Sequence, residues 1–165
     1  MLDRTHFCQP RHNGLKFILT VYGGLFIQLF IVYAIVFALF TRLNPFRFLR
    51  KMLPVMLFAF STSSSNATIP LNLETLERKC GVDEKVASFT IPLGATINMS
   101  GTAIMQGVAV VFAAQAFGIP LGLKEYAMVI ATATLASIGT AGVPGVGLVT
   151  LTMVFASVGL PVEAI

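Results

Sequence analysis

Charge is what this sequence has least of. Asp, Glu, Lys and Arg make up 11% of its 165 residues, against roughly 25% in soluble domains. Hydrophobic residues make up 56%. Such a chain has too few water-seeking groups to cover itself, which argues against a soluble fold, and it reads as a multi-pass membrane protein. The formal net charge of +4 does not mark a nucleic-acid binder, because the basic residues sit at the ends of apolar runs.

Other absences narrow the chemistry. Cys8 and Cys80 are the 2 cysteines, too few and too far apart for a disulfide framework or a Cys-based metal site. His6, Cys8 and His12 lack a fourth partner, so a metal centre there is not expected. No Gly-x-Ser-x-Gly is present, no His lies in an apolar run, and no carboxylate occurs between Glu84 and Glu125. An enzyme has no base to work with, and a proton relay has no carrier in that region. No signal peptide is read either. The first apolar run, from Phe17 to Thr41, outlasts a signal h-region.

What is there comes as long uncharged runs, interrupted in telling places. Residues 1–14 show no periodicity and read as a disordered end. Residues 15–42 read as one plain spanning helix, long enough for a hydrocarbon core of about 30 Å. Its Gly23-Gly24 pair fits either close helix packing or mere tolerance of Gly in lipid. Basic residues follow at Arg42, Arg47, Arg50 and Lys51, and again at Arg78, Lys79 and Lys85. They mark the cytoplasmic side, whereas Lys124 alone occupies the later, outer loop.

Residues 46–80 are uncharged at their centre but do not read as a spanning helix. Ser61-Thr62-Ser63-Ser64-Ser65-Asn66-Ala67-Thr68, followed by Pro70, breaks the helix near mid-membrane. Basic residues at both ends place both ends on one side, which describes a re-entrant hairpin. Residues 85–117 form an interrupted helix around Gly94-Ala95-Thr96-Ile97-Asn98-Met99-Ser100-Gly101-Thr102. So many polar groups in hydrocarbon must face something polar inside the protein. Residues 124–160 repeat the hairpin from the opposite face, with Ser137-Ile138-Gly139-Thr140-Ala141-Gly142-Val143-Pro144-Gly145-Val146-Gly147 at the tip. Hairpin, broken helix and opposed hairpin read as half of an inverted repeat plus the start of its mate, a transporter design. The symmetry predicts a second broken helix just where the sequence stops at Ile165. The chain therefore reads as a fragment, residues 15–165 being a partial transport domain.

Hard oxygen ligands suit sodium. Gly94, Thr96, Asn98 and the stretch Ser137 to Thr140 supply them without formal charge. Half-helix N-termini at the tips suit a substrate carboxylate, and Thr102 with the Ser cluster adds hydroxyl donors. A channel-like or structural membrane subunit is the competing reading. Asn44-Pro45 occurs once and no Asn-Pro-Ala pair is present, which argues against an aquaporin-type pore.

At Ser61 to Thr68, Asn98 to Thr102 and Ser137 to Gly147 the sequence resembles the dicarboxylate/amino acid:cation symporter family, the glutamate transporter homologues. The resemblance runs from about Leu15 to Val162. It implies an all-α membrane protein with spanning helices and two opposed re-entrant hairpins. It implies sodium-coupled symport of glutamate, aspartate or C4-dicarboxylates across the plasma membrane by a homotrimer embedded in the bilayer. It assigns substrate contacts to Ser64, Ser65, Thr102, Val143 and Gly147. It assigns one sodium to Gly94 and Asn98, and another to Thr96, Ser137, Ile138 and Thr140. The second hairpin would be the external gate. Where the family motif reads Asn-Met-Asp-Gly-Thr, this chain has Ser100, which removes a charged ligand from a third sodium site. Ser63 stands where some members carry Arg, and Asn66 where a fourth Ser is frequent.

Overall fold

A computed structural model describes residues 10–160 of the chain, and within them every regular element is a helix. The region of residues 1–9 lies outside the described residues, and from Pro10 the chain is helical. Helix α1 spans Pro10–Ile27, widens into one π-helical turn at Gln28–Val32, and continues as α2 over Tyr33–Thr41. Gly14–Thr41 alone is 28 residues, about 42 Å of helix. The rod ends where Arg42 turns left-handed at φ 56° and its N–H closes on the Ala38 carbonyl.

Helix α3 spans Pro45–Thr62. Asn44 caps it by accepting from the Phe46 and Arg47 N–H groups at 3.0 and 3.4 Å, and Pro45 fits the first turn, where no amide partner is lost. After the short turn at Ser63, φ 49°, comes α4 over Ser65–Thr75. A π-helical turn over Leu76–Cys80 then ends at Gly81. The Lys51 ammonium donates to the Lys79 carbonyl at 2.6 Å, so the base of α3 and the end of this arm lie side by side. The two form an antiparallel helical hairpin with its tip at Ser63–Ser64.

Helix α5, Glu84–Ile97, starts on an Asp83 cap, and α6 covers Ser100–Ala116. A second antiparallel hairpin pairs α7, Leu123–Ile138, with α8, Val146–Ser157. Glu125 caps α7 by accepting from the Gly122 N–H at 2.9 Å.

Helix α6 is the centre of the packing, touching α1, α7 and α8. Val110 and Val154 are fully buried, Phe155 nearly so, and Ala109, Ala113, Ala114 and Ala133 fill the spaces between. Small residues let helix backbones approach where lipid gives no hydrophobic drive for association. The Gly23-Gly24 pair divides cleanly. A Cβ on Gly24 would sit 3.0 Å from Ile104 Cγ2, whereas Gly23 has nothing within 4 Å. Gly24 is a packing residue and Gly23 is not.

The outside is as apolar as the inside. Phe40 is 87% exposed and Leu123 88%, and none of the apolar window of Gly14–Thr41 is buried. Gly14–Thr41 and Glu84–Ala116 are both long and apolar enough to cross a membrane. An apolar surface this extensive requires lipid or further protein against it.

Candidate functional site

Both hairpin tips and the break in the second long helix converge. At the first tip, Ser64 caps α4 by accepting from the Ala67 N–H at 3.2 Å. Its own hydroxyl donates to the Gly142 carbonyl of the second tip at 2.8 Å. The Asn66 N–H donates to the same carbonyl at 3.2 Å. One buried glycine carbonyl thus holds two donors of the opposing tip. A side chain there would force its neighbours to shift. A Cβ on Gly142 would lie 2.8 Å from Asn66 Oδ1 and 3.1 Å from Ser65 Cβ. Val143 follows directly and is 45% exposed.

The break lies between α5 and α6. Asn98 (φ −89°, ψ 67°) and Met99 (φ −101°, ψ 40°) leave the helical region. The last carbonyls of α5 and the first N–H groups of α6 therefore lack intrahelical partners, and two helix ends of opposite partial charge face each other. The Tyr33 hydroxyl of α2 reaches this break. It donates to Asn98 Oδ1 at 3.0 Å and lies 2.5 Å from Ser100 Oγ.

Behind the second tip runs a polar seam. Gln106 is fully buried. Its Nε2 donates to the Gly147 carbonyl at 3.2 Å and to Thr150 Oγ1 at 2.7 Å. Thr150 in turn lies 3.2 Å from Thr140 Oγ1. Gln106 Oε1 is buried without a partner. Thr102, one helical turn before Gln106, presses its methyl toward Gly147, where a Cβ would be 3.3 Å away.

Of the residues named for substrate, Ser64 and Ser65 thus meet the second tip at Gly142, next to Val143, and Thr102 meets Gly147. Of those named for sodium, Ser137 and Thr140 are buried in the second hairpin, bonded to the Thr134 and Ala136 carbonyls at 2.8 Å. Ile138 is 44% exposed. Thr96 is exposed and bonds back to the Leu93 carbonyl at 2.9 Å. Helices α5 and α7, which carry these two groups, touch. Gly94, beside Thr96, has open space where a side chain would be.

The donor chemistry fits a hard, monovalent cation. Neutral hydroxyl, amide and carbonyl oxygens supply it, and no cluster of three His, Cys, Asp or Glu occurs among the described residues. The ion pair Arg78–Glu74, at 3.0 Å, is exposed on the far end of the first hairpin. Sequence reasoning missed Tyr33, Gln106, Gly142 and Thr150. Gln106 carried a usable signal, since it lies on the face of Thr102 at i+4 in an otherwise apolar helix. Tyr33 carried none, because nothing local says which helix it meets.

Fold and site together define a class: a helical membrane protein whose chain breaks beside neutral polar groups. The chain belongs to the sodium:dicarboxylate symporter family, whose model matches residues 12–165. It is 45% identical over 153 residues to excitatory amino acid transporter 3 of Mus musculus, covering 93% of this chain and 29% of that protein. It is 44% identical over 146 residues to excitatory amino acid transporter 1 of Homo sapiens, covering 88% and 27%. An excitatory amino acid transporter of Caenorhabditis elegans is 44% identical over 147 residues, covering 89% and 29%. The chain therefore spans less than a third of the length of these relatives.

Proposed function

We propose that this chain forms the ion- and substrate-handling part of a sodium-coupled symporter for acidic amino acids or C4-dicarboxylates. The observation that carries the reading is the junction at Gly142. Two helical tips from separate hairpins close on one carbonyl, beside a broken helix, in a setting of neutral oxygens. The relatives named as excitatory amino acid transporters support an anionic amino acid as substrate.

In this reading the hairpins enter the plasma membrane from opposite faces, the first from the basic, cytoplasmic side. Ser64 and Ser65, Thr102, and Val143 with Gly147 hold the substrate, whose carboxylate meets the N-terminal ends of the half-helices. Gly94 and Asn98 hold one sodium, and Thr96, Ser137, Ile138 and Thr140 another. Bound sodium would supply positive charge next to an anionic substrate, which lets both enter a site of low dielectric together. The second hairpin is the gate, and the Gly142 junction is its closed position. The working unit is a homotrimer.

The test is uptake into proteoliposomes holding the full-length protein that contains this segment. Labelled aspartate, glutamate and succinate are offered with an inward sodium gradient, then with potassium in its place. Uptake of at least one of them only with sodium is expected. Ion flux along its own gradient, unaffected by any of the three, would establish a channel instead.

A further inference from the structure

We propose that the Tyr33 phenol occupies the Asn98 side-chain oxygen in place of a cation, and that Ser100 holds it there. Tyr33 is then a positioning residue that sets how tightly sodium binds at the helix break. This rests on the reading above that Asn98 faces a cation.

The hydrogen bonds have a direction. A phenol has one proton, and at 3.0 Å it is given to Asn98 Oδ1. The contact of 2.5 Å with Ser100 must then use the Ser100 proton. Ser100 donates to Tyr33 and Tyr33 donates to Asn98. Aligned donors of this kind polarise one another, so the positive end of the chain points at the amide oxygen. A sodium ion would need that same oxygen. Where the related motif has an acid, a carboxylate would accept the phenol proton and leave Asn98 free. Ser100 instead sends a second proton in the same direction.

The surroundings show how the phenol can yield. A crevice of about 390 Å³ lies between α2 and α3, walled by Phe37, Phe48, Met52 and Met56. Tyr33 and Asn98 are the only polar side chains lining it. The ring therefore has room to turn away from Asn98 into an apolar crevice, where its hydroxyl loses its partner. That loss disfavours the swing. Sodium entry must offset it, and the affinity drops accordingly.

In the full-length protein that contains this segment, purified in detergent, the near-UV absorbance of the unaltered protein minus that of Tyr33→Phe isolates the Tyr33 phenol. Adding sodium at constant ionic strength is expected to shift that difference band, and choline is expected to leave it unchanged. Equilibrium binding of radioactive sodium supplies the second readout. Tyr33→Phe should bind sodium about three- to tenfold more tightly, the worth of one hydrogen bond. Ser100→Ala should do so by less, because the phenol keeps its bond to Asn98 but loses its support. Circular dichroism checks that each variant keeps its helix content. Weaker or unchanged binding in a folded Tyr33→Phe overturns the competition and leaves the sodium reading standing. No binding in either form removes the sodium reading, and the competition with it.

Discussion

At the scale of single residues, Gly142 is the most exposed to test. Its carbonyl serves Ser64 and Asn66, and its missing side chain makes room for both tips. Gly142→Ala forces a methyl to within 2.8 Å of Asn66 Oδ1 unless the Asn66 side chain turns or the tips separate. We expect about 1–3 kcal/mol of overpacking, seen as a lower unfolding temperature in detergent and as faster proteolysis at the tips. A tip cut no faster than in the unaltered chain would show that the junction is not closed in solution. Ser100→Asp tests the break from the other side. The new carboxylate accepts the Tyr33 proton, frees Asn98 Oδ1 and adds a charge. Sodium dependence of transport in the full-length protein should become steeper. An unchanged Hill slope would mean that residue 100 takes no part in ion binding.

At the scale of helices, α1 meets α6 through a glycine with little room for a side chain. Gly24→Val places its branches against Ile104, whose Cγ2 already lies 3.0 Å from the first added carbon. The expected loss is about 1–3 kcal/mol, measured by thermal unfolding in detergent. Gly23→Ala is the control, since that position has nothing within 4 Å. Equal losses at both positions would point to backbone freedom rather than packing. Gln106 makes a similar case within the second hairpin. Gln106→Leu removes both donors that tie α6 to Gly147 and Thr150. It also removes an unpartnered oxygen, so the net cost is expected at the low end of the usual range, about 1 kcal/mol. The readout is earlier opening of α8 in hydrogen exchange, with α3 and α4 unaffected.

At the scale of the molecule, the question is which face each hairpin enters. The base of the first hairpin carries Lys51 against Lys79 and the free thiol of Cys80. With Cys8→Ser, an impermeant maleimide should reach Cys80 from the cytoplasmic face only. With both native cysteines removed, Lys124→Cys at the start of α7 should react from the outer face only. Labelling of both from one face would refute opposed hairpins.

Much of this protein was set by local sequence. The apolar lengths of Gly14–Thr41 and Glu84–Ala116, the Asn44-Pro45 and Asp83 caps, and the break at Asn98–Met99 follow from residues within a turn or two. Hydrogen bonds within a helix are local, so composition and spacing decide them. The motifs that carry the family resemblance are local as well. Tertiary structure alone decided which of those pieces meet. Ser64 and Gly142 are 78 residues apart in sequence, Tyr33 and Ser100 67, and Gln106 and Thr150 44. No propensity or periodicity links residues at such separations. Their meeting follows from packing: small residues on α6 let α1, α7 and α8 close around it, which sets the second tip beside the broken helix, while the first hairpin is placed by α4 packing on α5.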